Sequence, residues 1–356
     1  VLAQGATRPH NPPGRFWNYS SANYMYAGQI IERVSGLSFQ RYMRQELFDP
    51  AGMHDSTMVA SEVEARGNFA LGHWNDIFRG GLAIWKPSDQ DNWARHPTGY
   101  AHSTVGDLLR FAELLMAEGG GLLSPRSARL MTSPLVYVDQ RADQYYGFGV
   151  FSERHQSLEI KRHPGSAWGW MATVDWVPAR RFAVVTLTNG FGALYGSADC
   201  AIDAFLKPAA APLPGGSCPQ RRDRWPAFAG HYEGHSYVGK AMSYDLSFAD
   251  GTLFLSGTRS DGQPFRSAMA QDCALAYNQG PGGFQVDLDG NGAVDTTVTL
   301  IADPVEPGVV WMRHRQFVLR EPGEAPTLEP TPSPQQSPTP GPGRSGVYLP
   351  MAQAGS

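Results

Sequence analysis

The chain has 356 residues, 42% of them hydrophobic and 17% charged, with a formal net charge of −4. That length makes two domains the first expectation and leaves enough apolar material for real cores. The slightly acidic balance argues against nucleic acid or an anionic membrane as the main partner, and no apolar run reaches the length of a transmembrane segment.

The segment Pro13-Gly14-Arg15-Phe16-Trp17-Asn18-Tyr19-Ser20-Ser21-Ala22-Asn23-Tyr24 leads into a helical pattern. Over residues 19–48 the spacing predicts two successive helices. Tyr24, Ala27, Ile30, Ile31 and Val34 fall at helical intervals, and Gly36 supplies a stop. Ser38 is placed to cap the second helix, with Phe39, Tyr42, Met43 and Leu47 on its buried face. Residues 54–100 are rich in Asn, Asp, Trp, Gly and Pro and read as a long irregular excursion.

A helix then starts at Thr104, the expected cap, with Asp107 in its first turn. It ends before Gly119-Gly120-Gly121. Tyr146-Gly147-Phe148-Gly149 precedes His163-Pro164-Gly165-Ser166-Ala167-Trp168-Gly169. Trp170–Val177 and Arg181–Asn189 alternate and carry β-branched residues, predicting adjacent antiparallel strands turned at Pro178-Ala179.

Four units follow from these patterns: a first domain over 1–206, a Pro, Gly and Arg-rich linker over 207–224, an all-β domain over 225–320, and a tail over 321–356. The linker's Arg221, Arg222 and Arg224 read as a solvated group. The third unit consists of short β runs between glycine turns, the pattern of a small barrel or sandwich. The tail holds eight of the 28 prolines between Pro322 and Pro342 and cannot bury a core, so an extended stalk is expected.

Cysteine is sparse: Cys200, Cys218 and Cys273, none at metal-ligand spacing. A Cys200–Cys218 pair is left open. Asp287-Leu288-Asp289-Gly290-Asn291 has the start of a calcium loop, with Asp287, Asp289 and Asn291 as ligands. Its twelfth position is Val298 and its neighbours read as strands, so a hairpin turn is the preferred reading. No other cofactor or metal is implied.

The segment around Tyr19 and the His163-Pro164-Gly165 run together resemble the second and third motifs of the serine β-lactamase and D-alanyl-D-alanine peptidase superfamily, with the class C β-lactamase and esterase branch nearest. The resemblance covers residues 11–206 well and 225–320 loosely. It implies an α+β fold, part of the β-lactamase/transpeptidase-like architecture with an antiparallel sheet and helices, followed by a lipocalin-like β domain. It implies acyl transfer to a serine, then hydrolysis of an ester, a β-lactam or a D-amino-acid peptide such as those of peptidoglycan.

Tyr19 matches the motif tyrosine and His163 the third-motif cation position, making these the catalytic candidates. Ser21, Gly165, Ser166 and Trp168 are the substrate-binding candidates. Ser21 stands where the family usually has asparagine, and with His163 and the tryptophans this tilts the expectation toward an esterase. A histidine at 163 can supply charge or a proton near the tyrosine, and the Ser166 N–H is an oxyanion donor. Trp17, Trp168 and Trp170 line an acyl pocket or pack in the core.

The first motif, Ser-x-x-Lys, is absent. The four lysines, Lys86, Lys161, Lys207 and Lys240, follow Ala83, Leu158, Ala204 and Tyr237 at that spacing. With neither initiator Met nor signal peptide before Val1, the expectation is a fragment of an exported, surface-associated hydrolase that lacks its nucleophile, is inactive and folds poorly alone. A different class of reading is a non-catalytic relative that binds peptidoglycan or another surface glycan. A decayed gene is the third.

Overall fold

A computed structural model describes residues 17–75, 81–139, 144–167, 169–190, 195–211, 222–235, 241–259, 262–271, 283–292, 296–302, 309–314 and 317–320. Trp168, Cys218, Cys273, Arg221 and the Pro-rich tail lie outside these residues, and with them the calls on the disulfide and the stalk. Two compact units emerge: Tyr19–Gly216, and a second that joins Val1–Asn18 to Ser217–Ser356.

In the first unit, α1 (Ser21–Ser35) ends at Gly36, whose φ of +71° lets its N–H reach the Glu32 carbonyl. Ser38 caps α2 (Phe39–Met43), its hydroxyl accepting from the Arg41 N–H, and a π-helical turn continues over Arg44–Phe48. The apolar stripe of α1 points outward, with Ile30 and Val34 each 54% exposed. The only buried residue of α1 is Gly28. A Cβ there would lie 2.6 Å from the Pro97 Cβ.

The stretch expected to be irregular contains α3 (Ala60–Arg66), a hairpin of β1 (Gly72–Asn75) and β2 (Leu82–Trp85), and the short α4 (His96–Gly99). These elements are too short for periodicity to reveal. The hairpin leans on a sheet edge, where the His73 N–H reaches the Asn189 carbonyl at 3.0 Å and Trp170 Nε1 donates to the Ala70 carbonyl at 2.8 Å. Thr104 caps α5 (Val105–Met116) through the Asp107 N–H, as its sequence predicts, and α6 (Pro125–Thr132) follows.

Six antiparallel strands then run in chain order: β3 (Val136–Asp139), β4 (Gln144–Tyr146), β5 (Phe151–His155), β6 (Leu158–Ala167), β7 (Trp170–Val177) and β8 (Phe182–Thr188). The predicted β7–β8 pair turns over Pro178–Arg180. Alternate residues of this sheet serve opposite faces. Trp176 packs with Leu114 and Leu115 of α5, while Val177 and Ile160 pack with Ile202 of α7 (Tyr195–Leu206).

The second unit is a closed barrel of eight antiparallel strands: β9 (Gly230–His235), β10 (Ala241–Ala249), β11 (Thr252–Thr258), β12 (Pro264–Gln271), β13 (Gly283–Val286), β14 (Thr296–Ala302), β15 (Val310–His314) and β16 (Phe317–Arg320), with β16 pairing back onto β9. Inward residues such as Leu253, Leu255, Phe284 and Met312 fill it. Trp225 meets Phe284 edge-on.

Trp17 belongs to this unit. Its carbonyl accepts from Arg313 Nη1 at 2.9 Å, and that guanidinium lies 5.4 Å from its ring centroid. A buried cation needs such partners, and within this unit Trp17 is buried against Arg313.

Asp287, Asp289 and Asn291 fall in the connection between the paired strands β13 and β14. Asp287 accepts the N–H groups of Gly290 and Gly292, each at 2.7 Å, and Asp289 accepts the Asn291 backbone and side-chain N–H groups. Capping their own turn is what Asp side chains do in tight connections. Among the described residues no His, Cys, Asp and Glu cluster has metal-site geometry, and no helix is long and apolar enough to cross a membrane.

Candidate active site

Tyr19 sits just before α1, and Ser21 and Tyr24 occupy its first turn and the next. Across from them is β6, in which His163 lies mid-strand, opposite Val174 of β7, rather than at the strand's start. These segments enclose a cavity of about 190 Å³ lined by Tyr19, Ser21, Tyr24, Pro97, Thr98, Tyr146, Gly149 and His163. The Tyr19 and His163 ring centroids are 6.3 Å apart.

Three of the six sequence candidates thus meet: Tyr19, Ser21 and His163. Gly165 and Ser166 continue along β6, opposite Ala172 and Met171, and both are exposed. They do not line the cavity. Trp170, half-buried, is occupied in holding the hairpin. Among the described residues the aromatic walls are Tyr19, Tyr24, Tyr146 and His163.

Sequence reasoning assigned no role to Tyr24, Pro97, Thr98 or Tyr146. Pro97 and Thr98 reach the cavity because Gly28 lets α4 lie directly on α1. Tyr24 reaches it because Gly149 has no side chain: a Cβ would sit 3.2 Å from the Tyr24 hydroxyl, and its φ is +85°. The Tyr146-Gly147-Phe148-Gly149 run was the available signal.

His163 Nδ1 lies 2.7 Å from the Pro164 carbonyl, and Nε2 lies 3.2 Å from the Tyr146 hydroxyl. Burial pushes the imidazole pKa down, partly offset by the hydrogen bond to Pro164. Burial thus disfavours the charged form of the ring, and charge is one of the two roles its match to the third motif implies. Burial also raises the Tyr19 phenol, and the neighbouring Tyr24 adds to this. Tyr24 is raised by burial as well, against a hydrogen bond with Tyr146 that lowers it. Among the described residues the lining holds no Asp, Glu, Lys or Arg, and its hydroxyls and imidazole offer hydrogen bonds to a polar group.

Behind His163 the strand is anchored by charge. Arg162, nine-tenths buried, points to the α7 side and meets Glu153 at 2.6 Å, Asp175 at 2.7 Å and Asp199 at 2.5 Å. Lys161, on the His163 side, donates to Ser152 Oγ at 2.6 Å and to the Thr132 carbonyl at 2.9 Å. One guanidinium serving three carboxylates leaves a negative surplus. Burial accordingly raises the Glu153 and Asp175 carboxyls even against the pull of Arg162.

Residues 3–204 match the family description Beta-lactamase, more than half of the chain. The chain belongs to the β-lactamase family. It is 23% identical to a D-aminopeptidase of Gluconobacter oxydans (strain 621H) over 182 residues, 51% of this chain and 33% of that protein. To penicillin-binding protein 4* of Bacillus subtilis (strain 168) it is 26% identical over 185 residues, 50% of this chain and 40% of that one. A solved structure of SurE with D-Leu superposes with a TM-score of 0.60 at 19% identity, covering 90% of this chain and 71% of that chain. The likeness to SurE shows a shared fold. The alignments to the two curated relatives span a third to two fifths of those proteins' lengths.

Proposed function

We propose that the Tyr19–His163 cavity is part of a serine-hydrolase site that cleaves neutral esters or amides of D-amino acids through an acyl-enzyme. The observation that carries this is the convergence of Tyr19, Ser21 and His163, far apart in sequence, on one small cavity. The uncharged lining supports a neutral group at this end of the substrate. The name of the D-aminopeptidase relative supports the D-configuration and the amide. A β-lactam is the competing acyl donor.

In this reading a serine hydroxyl attacks the carbonyl while the Tyr19 phenolate takes its proton and later passes it to the leaving group. A phenol with a raised pKa does neither, so Tyr19 requires a cation brought close. The 356 residues contain no Ser-x-x-Lys, and we read the chain as a nucleophile-lacking piece of such a hydrolase, inactive by itself. The barrel is read as an appended lipocalin-like domain, and the Pro-rich tail as the stalk of an exported, surface-associated protein.

The test compares this chain with the product of the full open reading frame that encodes it, on p-nitrophenyl esters, D-amino-acid p-nitroanilides and nitrocefin. Fluorophosphonate labelling followed by peptide mass mapping locates the nucleophile. The expected result is turnover by the longer product, a label on the serine of a Ser-x-x-Lys, and loss of turnover in Tyr19→Phe. Full activity of Tyr19→Phe, or turnover by the 356 residues alone, overturns the proposal.

A further inference from the structure

The Pro164 carbonyl fixes which ring nitrogen of His163 carries the proton. A carbonyl oxygen only accepts, so at 2.7 Å the proton lies on His163 Nδ1. In a neutral ring Nε2 is then the lone-pair nitrogen, and the Tyr146 hydroxyl 3.2 Å away is its donor. The order runs Tyr146 to His163 to the Pro164 carbonyl. Tyr24 lines the same cavity beside Tyr146.

The packing holds this order in place. Tyr146 stacks edge-on against Phe151 at 4.6 Å, and the His163 ring lies 5.5 Å from the same Phe151. Gly149 leaves the room Tyr24 needs. The titratable side chains that line the cavity with His163 are Tyr19, Tyr24 and Tyr146.

We propose that Tyr146 is a positioning residue that holds His163 as the neutral Nδ1–H tautomer and fills its Nε2 lone pair. His163 then serves as a fixed acceptor rather than as the cation that activates Tyr19, and that cation must come from another residue. The link to activation of Tyr19 rests on the hydrolase reading above; the tautomer of His163 does not.

The tautomer is read directly by long-range proton–nitrogen correlation NMR on the whole chain labelled with 15N-histidine. His163→Gln identifies the His163 signals among the ten histidines. The expected spectrum at about pH 7 shows a protonated Nδ1 and an unprotonated Nε2. In Tyr146→Phe, the Nε2 resonance moves downfield, toward that of a lone pair with no donor. If Tyr146→Phe does not fold, the Nε2 resonance of the unmodified chain serves alone, and it is expected upfield of that of a lone pair with no donor. A protonated Nε2, a doubly protonated ring, an Nε2 signal indifferent to Tyr146→Phe, or one in the unmodified chain at the position of a lone pair with no donor overturns the proposal. None of these outcomes depends on turnover, so the hydrolase reading stands or falls separately.

Discussion

Arg162 and Asp175 face each other across β6 and β7, with Nε 2.7 Å from Oδ1 and Asp175 only 1% exposed. The pair lies one residue behind His163, on the opposite face of the strand. Breaking a buried pair by removing one partner leaves an uncompensated charge, which costs about 3–5 kcal/mol. Arg162→Met leaves Glu153, Asp175 and Asp199 without their shared cation and is expected to destabilise by about that much. Urea unfolding of the whole chain measures it, and a loss below about 1 kcal/mol would show that the three carboxylates do not depend on the guanidinium.

The surplus carboxylates give a pH signature of known sign. Glu153 has a folded-state pKa above its unfolded value. The folded state therefore binds this proton more tightly, and the stability it lends is present below the unfolded pKa of about 4.3. That stability is lost as pH rises through the raised folded value. Glu153→Gln keeps a hydrogen-bonding partner for Gln144 and Arg162 while removing the titration. Its unfolding free energy is expected to fall less than that of the unmodified chain between about pH 5 and 8. Parallel curves for the two proteins would assign the proton elsewhere.

How far this site was legible depends on whether its logic is local. Tyr19 and His163 were readable because each lies in a short linear motif, and the caps Ser38 and Thr104 because capping is decided within four residues. Lys161-Arg162 looks in sequence like an ordinary surface pair. Its partners Glu153, Asp175 and Asp199 come from three other elements, so burial was invisible. Tyr24 and Tyr146 were likewise quoted without a role, because their meeting depends on the empty space at Gly149. The outward stripe of α1 ran against the rule that an apolar face points to a core; periodicity gave the helix, but not what it faces.

His163 supplies a slope opposite to that of Glu153. Its pKa falls on folding, so the unfolded chain takes up this proton first. Stability is full above the unfolded value of about 6.5 and is lost as pH falls from there to the folded value. His163→Asn, which does not titrate, is expected to remove that loss between about pH 7 and 5. Thermal unfolding across this range checks it, and an unchanged acid slope would place the titrating group outside the cavity.

The cavity's far wall depends on Gly28, where a new Cβ would lie 2.6 Å and 2.7 Å from two Pro97 side-chain atoms. A pyrrolidine ring has no flexible end to swing away, so α1 and α4 must separate. Forcing volume into a packed contact costs about 1–3 kcal/mol, and Gly28→Val is expected to fall in that range. Gly28→Ala, with the same first clash but less bulk, should cost less. Because Pro97 and Thr98 line the cavity with Tyr19, the separation also opens the space beside the phenol. Relief of burial moves the Tyr19 pKa back toward about 10. Ultraviolet titration, with Tyr19→Phe to identify the signal, reads that shift, while the cost itself comes from urea unfolding. A Gly28→Val protein as stable as the unmodified chain, with Tyr19 titrating unchanged, would mean that α4 does not form the wall.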